Sequence, residues 1–170
     1  ALWSSMSLID NVCLPLELHS ALDARQRKAR ANEVLEWVGL DGFGNYHPAD
    51  LSGGMKKRAG LARAIALEPP LLFLDEPSAG LDPISSKRLD DLVLELRERS
   101  GAAVVVVSHE LPSLFAIADD GIFLDADTRQ PIGHGSPRHL RDHCNHATVR
   151  AFLRREDPAA ADPAIKENTA

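Results

Sequence analysis

The sequence is poor in the features that build disulfide-stapled, membrane-spanning or nucleic-acid-binding proteins. Only 2 of its 170 residues are cysteines, Cys13 and Cys144, and their wide separation favours free thiols in a reducing compartment. No apolar run approaches the roughly 20 residues that a helix needs to span a bilayer, so a membrane role requires a partner. The net charge of -6 gives no basic footprint for nucleic acid.

A glycine-rich phosphate-binding loop is also missing. Such a loop needs a glycine, four further residues and then Gly-Lys followed by Ser or Thr, but no glycine of this chain precedes a lysine. Hydrophobic residues make up 44% of the chain and charged residues 26%, which is ordinary for a globular domain with a core of its own. No internal repeat or linker divides the chain, so we expect one domain.

The stretch from residue 51 to residue 82 carries the clearest chemical pattern, and it reads LSGGMKKRAGLARAIALEPPLLFLDEPSAGLD. Ser52, Gly53 and Gly54 precede a helix-compatible segment. They suit a helix N-terminus, at which free backbone amides, a hydroxyl and the helix dipole together can hold an anion. The two glycines leave the approach open because they carry no side chain.

Two acidic residues, Asp75 and Glu76, follow the apolar run of residues 71–74. The run predicts a buried parallel strand whose carboxyl end lies at the ligand-binding edge of an α/β sheet. A second apolar strand at residues 103–107 delivers Ser108 and His109 to the same edge. Because successive strand residues point in opposite directions, Asp75 and Glu76 cannot both do the same job equally well.

In this order the motifs resemble those of the ATP-binding-cassette (ABC) family. LSGG is similar to its signature, residues 71–76 to its Walker B strand and catalytic glutamate, SAGLD at residues 78–82 to its D-loop, and His109 to its H-loop histidine. Each motif alone is a weak signal, but the set is specific. The resemblance implies an α/β fold, the C-terminal part of a P-loop NTPase-like ABC nucleotide-binding domain with a small helical subdomain. We therefore expect a chain truncated at its N-terminus.

The family resemblance also implies ATP and Mg²⁺ as ligands and a role for individual residues. Glu76 would act as general base toward the attacking water, His109 would stabilise the γ-phosphate, and Asp75 would support Mg²⁺. In a head-to-tail dimer, the signature of one subunit would close over the nucleotide of the other, and the D-loop would link the two sites. The residues expected to make these contacts across the dimer are Ser52, Gly53, Gly54 and Asp82.

The resemblance further implies a second ATPase subunit, a transmembrane permease and a peripheral position on the cytoplasmic face of the inner membrane. The opening residues 1–18, the LSGGM signature, FAIADD at residues 115–120 and VRAFL at residues 149–153 resemble one branch of the family. This branch is associated with outer-membrane lipid asymmetry and toluene tolerance. It works with a mammalian-cell-entry-type substrate-binding protein, so the expected cargo is a phospholipid or another hydrophobic compound.

Helical periodicity and turn signals predict three parts. Residues 1–50 are expected to form a portion of the helical subdomain, residues 51–155 the signature helix and the C-terminal part of the ATPase core, and residues 156–170 a disordered tail. Pro15 is expected to kink or end the first helix, and residues 133–137 are expected to form a turn into a helix.

Alternatives stay open on the sequence alone. A cassette ATPase that acts in DNA repair or on ribosomes would share the same chemistry, and a remnant without the phosphate-binding loop would be inactive. In addition, four residues near the C-terminus have a spacing that could bind Zn²⁺, namely His139, His143, Cys144 and His146.

Overall fold

The structure is a computed structural model that describes residues 2–156. The predicted disordered tail therefore lies outside the described residues, except for Glu156. The chain forms two compact units, Ala1–His109 and Glu110–Ala170. Within the described part of both units, no helix is both long enough and apolar enough to cross a membrane.

Three helices pack together in the first unit. Helix α1 comprises Leu8–His19, α2 comprises Ala24–Trp37 and α3 comprises Gly53–Ile65, and a short 3-10 helix at Pro48–Asp50 precedes α3. The apolar faces predicted from periodicity are buried in this bundle and form its core: Leu8, Val12, Leu16, Ala31, Val34, Leu35, Val38, Ala62 and Ile65.

Side-chain caps determine where these helices begin. Ser7 accepts a hydrogen bond from the backbone at the start of α1, and Asp23 and Gln26 form a capping box at the start of α2. At α3, the Ser52 hydroxyl accepts a hydrogen bond from the amide of Met55 over 3.3 Å. The signature helix therefore begins where the sequence predicts.

Pro15 is expected to kink or end α1, and of these two outcomes the end is wrong, because the helix continues through this residue to His19. A proline inside a helix removes one backbone hydrogen bond, in this case the bond to the carbonyl of Asn11. Val12 and Leu16, on either side of the proline, are both buried in the bundle. Their packing holds the backbone helical despite the lost bond.

A parallel pair of strands follows the bundle. Strand β1, Leu71–Asp75, pairs with β2, Ala103–Val107, in a register that places Asp75 opposite Val107. Helix α4, Pro83–Ser100, connects the two strands. It buries its predicted apolar stripe of Leu89, Leu92, Val93 and Leu96. This β-α-β arrangement confirms the predicted α/β class.

One face of the β1–β2 pair is uncovered. Phe73 is 72% exposed and Val107 is 58% exposed. Parallel strands this apolar ordinarily lie inside a sheet that is covered on both faces. The pair therefore presents apolar surface to solvent, and the prediction of a buried strand does not hold on this face.

The second unit combines three helices with an antiparallel pair of strands. Strand β3, Gly121–Leu124, pairs with β4, Pro131–Gly135. The helices are α5, Leu111–Ile117, α6, Pro137–His143, and α7, Ala147–Arg154. Its buried cluster consists of Leu111, Leu140, Val149 and Leu153.

Strand β4 corrects the predicted turn at residues 133–137. Residues up to Gly135 pair with β3, and the turn into α6 is reduced to Ser136, which caps that helix. Glycine and proline are uncommon in strands, so the segment carries little strand signal of its own. It is extended because β3 offers a partner for its backbone.

Asp82 caps α4 at the end of the turn that follows β1. Its carboxylate accepts hydrogen bonds from the amides of Ile84 and Ser85, both over 3.0 Å. Hydrogen bonds from Ser85, followed by the amide of Ile84, hold the pKa of the Asp82 carboxyl below its ordinary value of 3.8. The folded chain therefore favours the ionised form.

We predict that Asp82→Asn, which keeps a capping oxygen but cannot titrate, removes part of the acid sensitivity of the protein. Because the folded pKa is depressed, ionised Asp82 stabilises the fold above pH 3.8, and this stabilisation is lost as the pH falls through the lower, folded value. Urea unfolding of both proteins from about pH 7 to about pH 3 should show a stability difference that shrinks toward acid. A constant difference would contradict the prediction.

We also predict that the 170-residue chain by itself binds a hydrophobic dye and self-associates through the uncovered face of β1 and β2. Phe73→Thr should lower dye fluorescence. Leu18→Gln is the matched control, because Leu18 is 65% exposed but lies on α1, away from the strands. Fluorescence titration and sedimentation measure both effects, and a monodisperse chain that melts cooperatively without binding dye would refute the prediction.

Candidate functional site

Glu76 and His109, which follow the two parallel strands, meet at one edge of the pair. The Nδ1 atom of His109 lies 2.7 Å from Oε1 of Glu76, which is hydrogen-bonding distance. The His109 side chain is 74% exposed, whereas that of Glu76 is 32% exposed. The structure thus joins two residues for which the sequence predicts separate roles.

The backbone of Glu76 has a left-handed conformation with a φ of 45°. Such a φ is uncommon for a residue other than glycine and persists only where surrounding contacts hold it. The Glu76 amide donates to the carbonyl of Val107 over 2.8 Å. Its own carbonyl accepts from Nζ of Lys57 over 2.9 Å and from the amide of Ala79 over 3.3 Å.

The second carboxylate oxygen of Glu76, Oε2, is buried and accepts no hydrogen bond from any residue within 2–156. Buried oxygens ordinarily have a partner, because leaving one unsatisfied costs about 1–3 kcal/mol. Glu76 is therefore a carboxylate with one oxygen held by a histidine. Its other oxygen has lone pairs that no described residue engages.

Asp75 does not join the pair formed by Glu76 and His109. It lines a cavity of about 740 Å³, which Gly53, Lys56 and Lys57 also line. Its side chain is exposed, and no other described residue forms a hydrogen bond or ion pair with it. Within residues 2–156, no three His, Cys, Asp or Glu side chains are placed to hold a metal ion together. A cation at Asp75 would take its remaining ligands from phosphate oxygens and water, which is the habit of Mg²⁺.

Ser52, Gly53 and Gly54 form the start of α3. The amides of the two glycines precede the first intrahelical hydrogen bonds, and the helix dipole favours an anion at this end. A Cβ atom added at Gly54 would meet no other atom within 4 Å. Packing among the described residues therefore does not require glycine at this position, and the space is open to a ligand.

This first turn of α3 shares a cleft of about 670 Å³ with the turn that ends at Asp82, and Arg58 and Arg88 also line the cleft. The Arg58 guanidinium donates to the carbonyls of Val38 and Gly39 over 2.8 and 3.0 Å. Burial, and then the nearby Arg88, lower the pKa of Arg58 from its ordinary value. The predicted signature and D-loop residues are thus brought together, although the Asp82 carboxylate is engaged in capping α4.

The histidines near the C-terminus do not support the zinc alternative. The rings of His139 and His143 touch, with centroids 5.0 Å apart. Nε2 of His134 instead pairs with Oδ2 of Asp120 over 2.9 Å. In the part of the chain that the structure describes, no three potential ligands converge on one point.

The sequence marks two cations of α3, Lys57 and Arg58, only as a possible source of positive potential for a phosphate, and it does not predict the contacts that they make. Lys57 contacts the backbone of Glu76, and Arg58 contacts the end of α2. Both belong to a basic run that is typical of a solvated helix face, so composition gives them no special weight. In the sequence, only their position one turn after the signature distinguishes them from basic residues on an ordinary solvated helix face.

Comparisons with known proteins agree with the motifs. A family model described as ABC transporter matches residues 1–79. The intermembrane phospholipid transport system ATP-binding protein MlaF of Escherichia coli K12 is 44% identical over 153 residues, which are 90% of this chain and 56% of MlaF. The methionine import ATP-binding protein MetN of Xylella fastidiosa is 38% identical over 152 residues, which are 89% of this chain and 44% of MetN.

The trimethylamine N-oxide transport system ATP-binding protein TmoW of Ruegeria pomeroyi is 39% identical over 132 residues, 74% of this chain and 38% of TmoW. The chain thus spans about half the length of the curated relatives it matches. Where it does match, it matches ATP-binding proteins of transport systems.

Solved structures lead to the same family. The dimeric structure of a post-hydrolysis state of the ATP-binding cassette MJ0796, bound to ADP and Pi, has a TM-score of 0.69 and 30% identity, and the match covers 79% of this chain and 58% of that one. A second dimeric structure, of MJ0796 as a bacterial ABC transporter cassette, has a TM-score of 0.63 and 34% identity and covers 72% and 54%. Together with the motifs and the fold, these likenesses show that the chain belongs to the ABC transporter family, as part of its ATP-binding cassette.

Proposed function

We propose that the full-length protein containing this chain is the ATP-hydrolysing subunit of an ABC transporter. It energises the movement of a phospholipid or another hydrophobic compound through a membrane permease. The observation that carries the proposal is the state of the Glu76 carboxylate, which has one oxygen held by His109 and one buried oxygen that no described residue engages. A general base needs a carboxylate that is held in place and keeps an oxygen that the protein does not engage, within hydrogen-bond reach of the water.

In the proposed reaction, Glu76 orients a water molecule and takes up its proton as the water oxygen bonds to the γ-phosphorus of ATP. His109 donates from Nδ1 to the carboxylate, and in its cationic form it also donates from Nε2 to the γ-phosphate. The bond between the β- and γ-phosphates breaks, and the products are ADP and phosphate. Each residue thus acts from the edge of the β1–β2 pair.

Asp75 is the residue that would hold Mg²⁺, which when bound offsets negative charge on the phosphates. The fit rests on the exposed carboxylate of Asp75, which no described residue pairs with. Asp75 and Glu76 are neighbours in sequence with different surroundings, so one can bind a cation while the other accepts a proton.

The start of α3 would bind the nucleotide of a second ATPase subunit in a head-to-tail dimer. The open space at Gly54 and the free amides of the first turn support this role for Ser52, Gly53 and Gly54. Asp82 lies in the same cleft, where it would link the two nucleotide sites. The related MJ0796 cassettes are described as dimeric.

The lipid cargo is supported by MlaF, which is named for phospholipid transport. Its identity of 44% exceeds the 38% and 39% of the methionine and trimethylamine N-oxide relatives. We place the protein on the cytoplasmic face of the inner membrane, bound to the permease. A mammalian-cell-entry-type substrate-binding protein completes the proposed assembly, and nucleic acid is not a partner.

We predict that the 170-residue chain by itself neither binds ATP measurably nor hydrolyses it, because no glycine-rich loop with its lysine is present to cradle the phosphates. Isothermal titration with Mg-ATP is the measurement, and the full-length protein is the control. Micromolar binding by the 170-residue chain would show that the nucleotide site lies elsewhere.

We predict that Glu76→Gln in the full-length protein preserves ATP binding but lowers turnover by roughly 10²- to 10⁴-fold, because glutamine keeps the size of the side chain and loses its basicity. ATP then persists between subunits, so an ATP-dependent dimer accumulates. Asp75→Asn is the matched neighbour and should instead impair the use of Mg²⁺.

Sizing chromatography with and without Mg-ATP, combined with phosphate release, distinguishes the two variants. If Glu76→Gln hydrolyses ATP at the parental rate, Glu76 is not the base.

A further inference from the structure

We propose that Lys57 is a positioning residue, which fixes the backbone of Glu76 and so directs its carboxylate at the attacking water. This inference rests on the function proposed above. It starts from the hydrogen bond of 2.9 Å between Nζ of Lys57 and the carbonyl of Glu76, two residues that lie 19 positions apart.

The Lys57 bond differs from the other backbone bonds of Glu76 in its origin and its charge. The bonds with Val107 and Ala79 come from β2 and from the turn after β1, whereas Lys57 reaches Glu76 from α3. A hydrogen bond from an ammonium group to a carbonyl is charge-assisted, and such bonds are stronger than those between neutral groups. Lys57 is therefore the only link among these that ties Glu76 to the signature helix.

This link restrains one of the two backbone torsion angles of a strained residue. The direction of a carbonyl follows ψ of its own residue, while the direction of the amide follows φ. The bond to Val107 thus restrains φ of Glu76, and the bond from Lys57 restrains ψ. Because φ is 45°, a residue with a side chain has little room in this region and keeps this conformation only while its contacts hold it, so freeing ψ by loss of the Lys57 bond allows the backbone to relax. Relaxation would turn the Cβ direction and move the carboxylate.

The position of Lys57 on α3 connects Glu76 with the turn of the helix that is proposed to bind the partner's nucleotide. Lys57 follows Gly53 by four residues, so the two lie on the same face of the helix, one turn apart. Under the proposed function, the first turn of α3 touches the nucleotide of the partner subunit, while the next turn holds the general base of its own subunit. A shift of α3 on the partner's nucleotide is then passed to Glu76 through the Lys57 side chain.

The test measures hydrolysis of Mg-ATP by the full-length protein in complex with its permease. Lys57→Met keeps an apolar stem of similar shape and removes the donor. We expect kcat to fall roughly ten- to hundredfold, as for a misplaced reacting group, while the KM for ATP changes by less than about twofold. Lys57→Arg restores a donor and should recover most of the rate. Lys28→Met is the control, because Lys28 is an exposed lysine of α2 that lines neither cavity of the site, and it should retain the parental kcat.

A double variant separates positioning from a general loss of structure. If Lys57 acts through Glu76, adding Lys57→Met to Glu76→Gln should cause no further loss of turnover. A lysine that only stabilises the fold would add its own effect to that of Glu76→Gln and lower the Tm of the protein. If Lys57→Met fails to fold, Lys57→Gln, whose amide donor is shorter, should give the same pattern with a smaller loss.

Three results would overturn the inference: a parental kcat for Lys57→Met, an equal loss for Lys28→Met, or multiplying losses in the double variant. A normal Lys57→Met beside an inactive Glu76→Gln would remove this inference and leave the proposed function standing. Parental turnover by Glu76→Gln would remove both.

Discussion

The site depends on the parallel pairing of β1 with β2. The register places Asp75 opposite Val107, so the amide of Glu76 reaches the Val107 carbonyl and His109 arrives beside the Glu76 carboxylate. A slip of one residue would exchange the two faces of β2 and carry His109 away from Glu76. The backbone ladder, rather than any attraction between the two side chains, therefore brings the two proposed catalytic residues together.

Two features of Glu76 raise the free energy of the folded state, and the rest of the first unit must offset them. Its left-handed backbone costs about 1–2 kcal/mol relative to an ordinary conformation, and glycine would adopt it more easily. Its buried Oε2 adds a second cost, because no described residue bonds to it. Strain of this kind clusters where a side chain must stand in one place for chemistry. The presence of both costs at one residue supports the general-base role that we propose for it.

Local signals made much of the fold predictable from the sequence. Ser52 can cap a helix by itself, and the apolar runs of β1 and β2 lie between clear turn residues, so these elements and the edge they share were predicted correctly. The path of α1 through Pro15 and the extended backbone of β4 depend on neighbours in space, which periodicity cannot supply.

The site shows the same division between local and tertiary information. The motif order indicates which residues take part, but the bond between Glu76 and His109 and the one from Lys57 are tertiary contacts. A strand end and a helix face each look ordinary in the sequence. Their meeting depends on register and packing, which no single segment encodes.

The end of α2 has a mechanical consequence for the start of α3. Gly39 has a φ of 65°, and a Cβ atom placed there would lie 3.0 Å from Nη1 of Arg58, so the guanidinium occupies the space that a side chain would fill. Arg58 in turn donates hydrogen bonds to the carbonyls of Val38 and Gly39, which directly follow α2. The two helices are thereby clamped close to residues 52–54. Movement of the end of α2 would therefore either break the Arg58 hydrogen bonds or move the start of α3 with it.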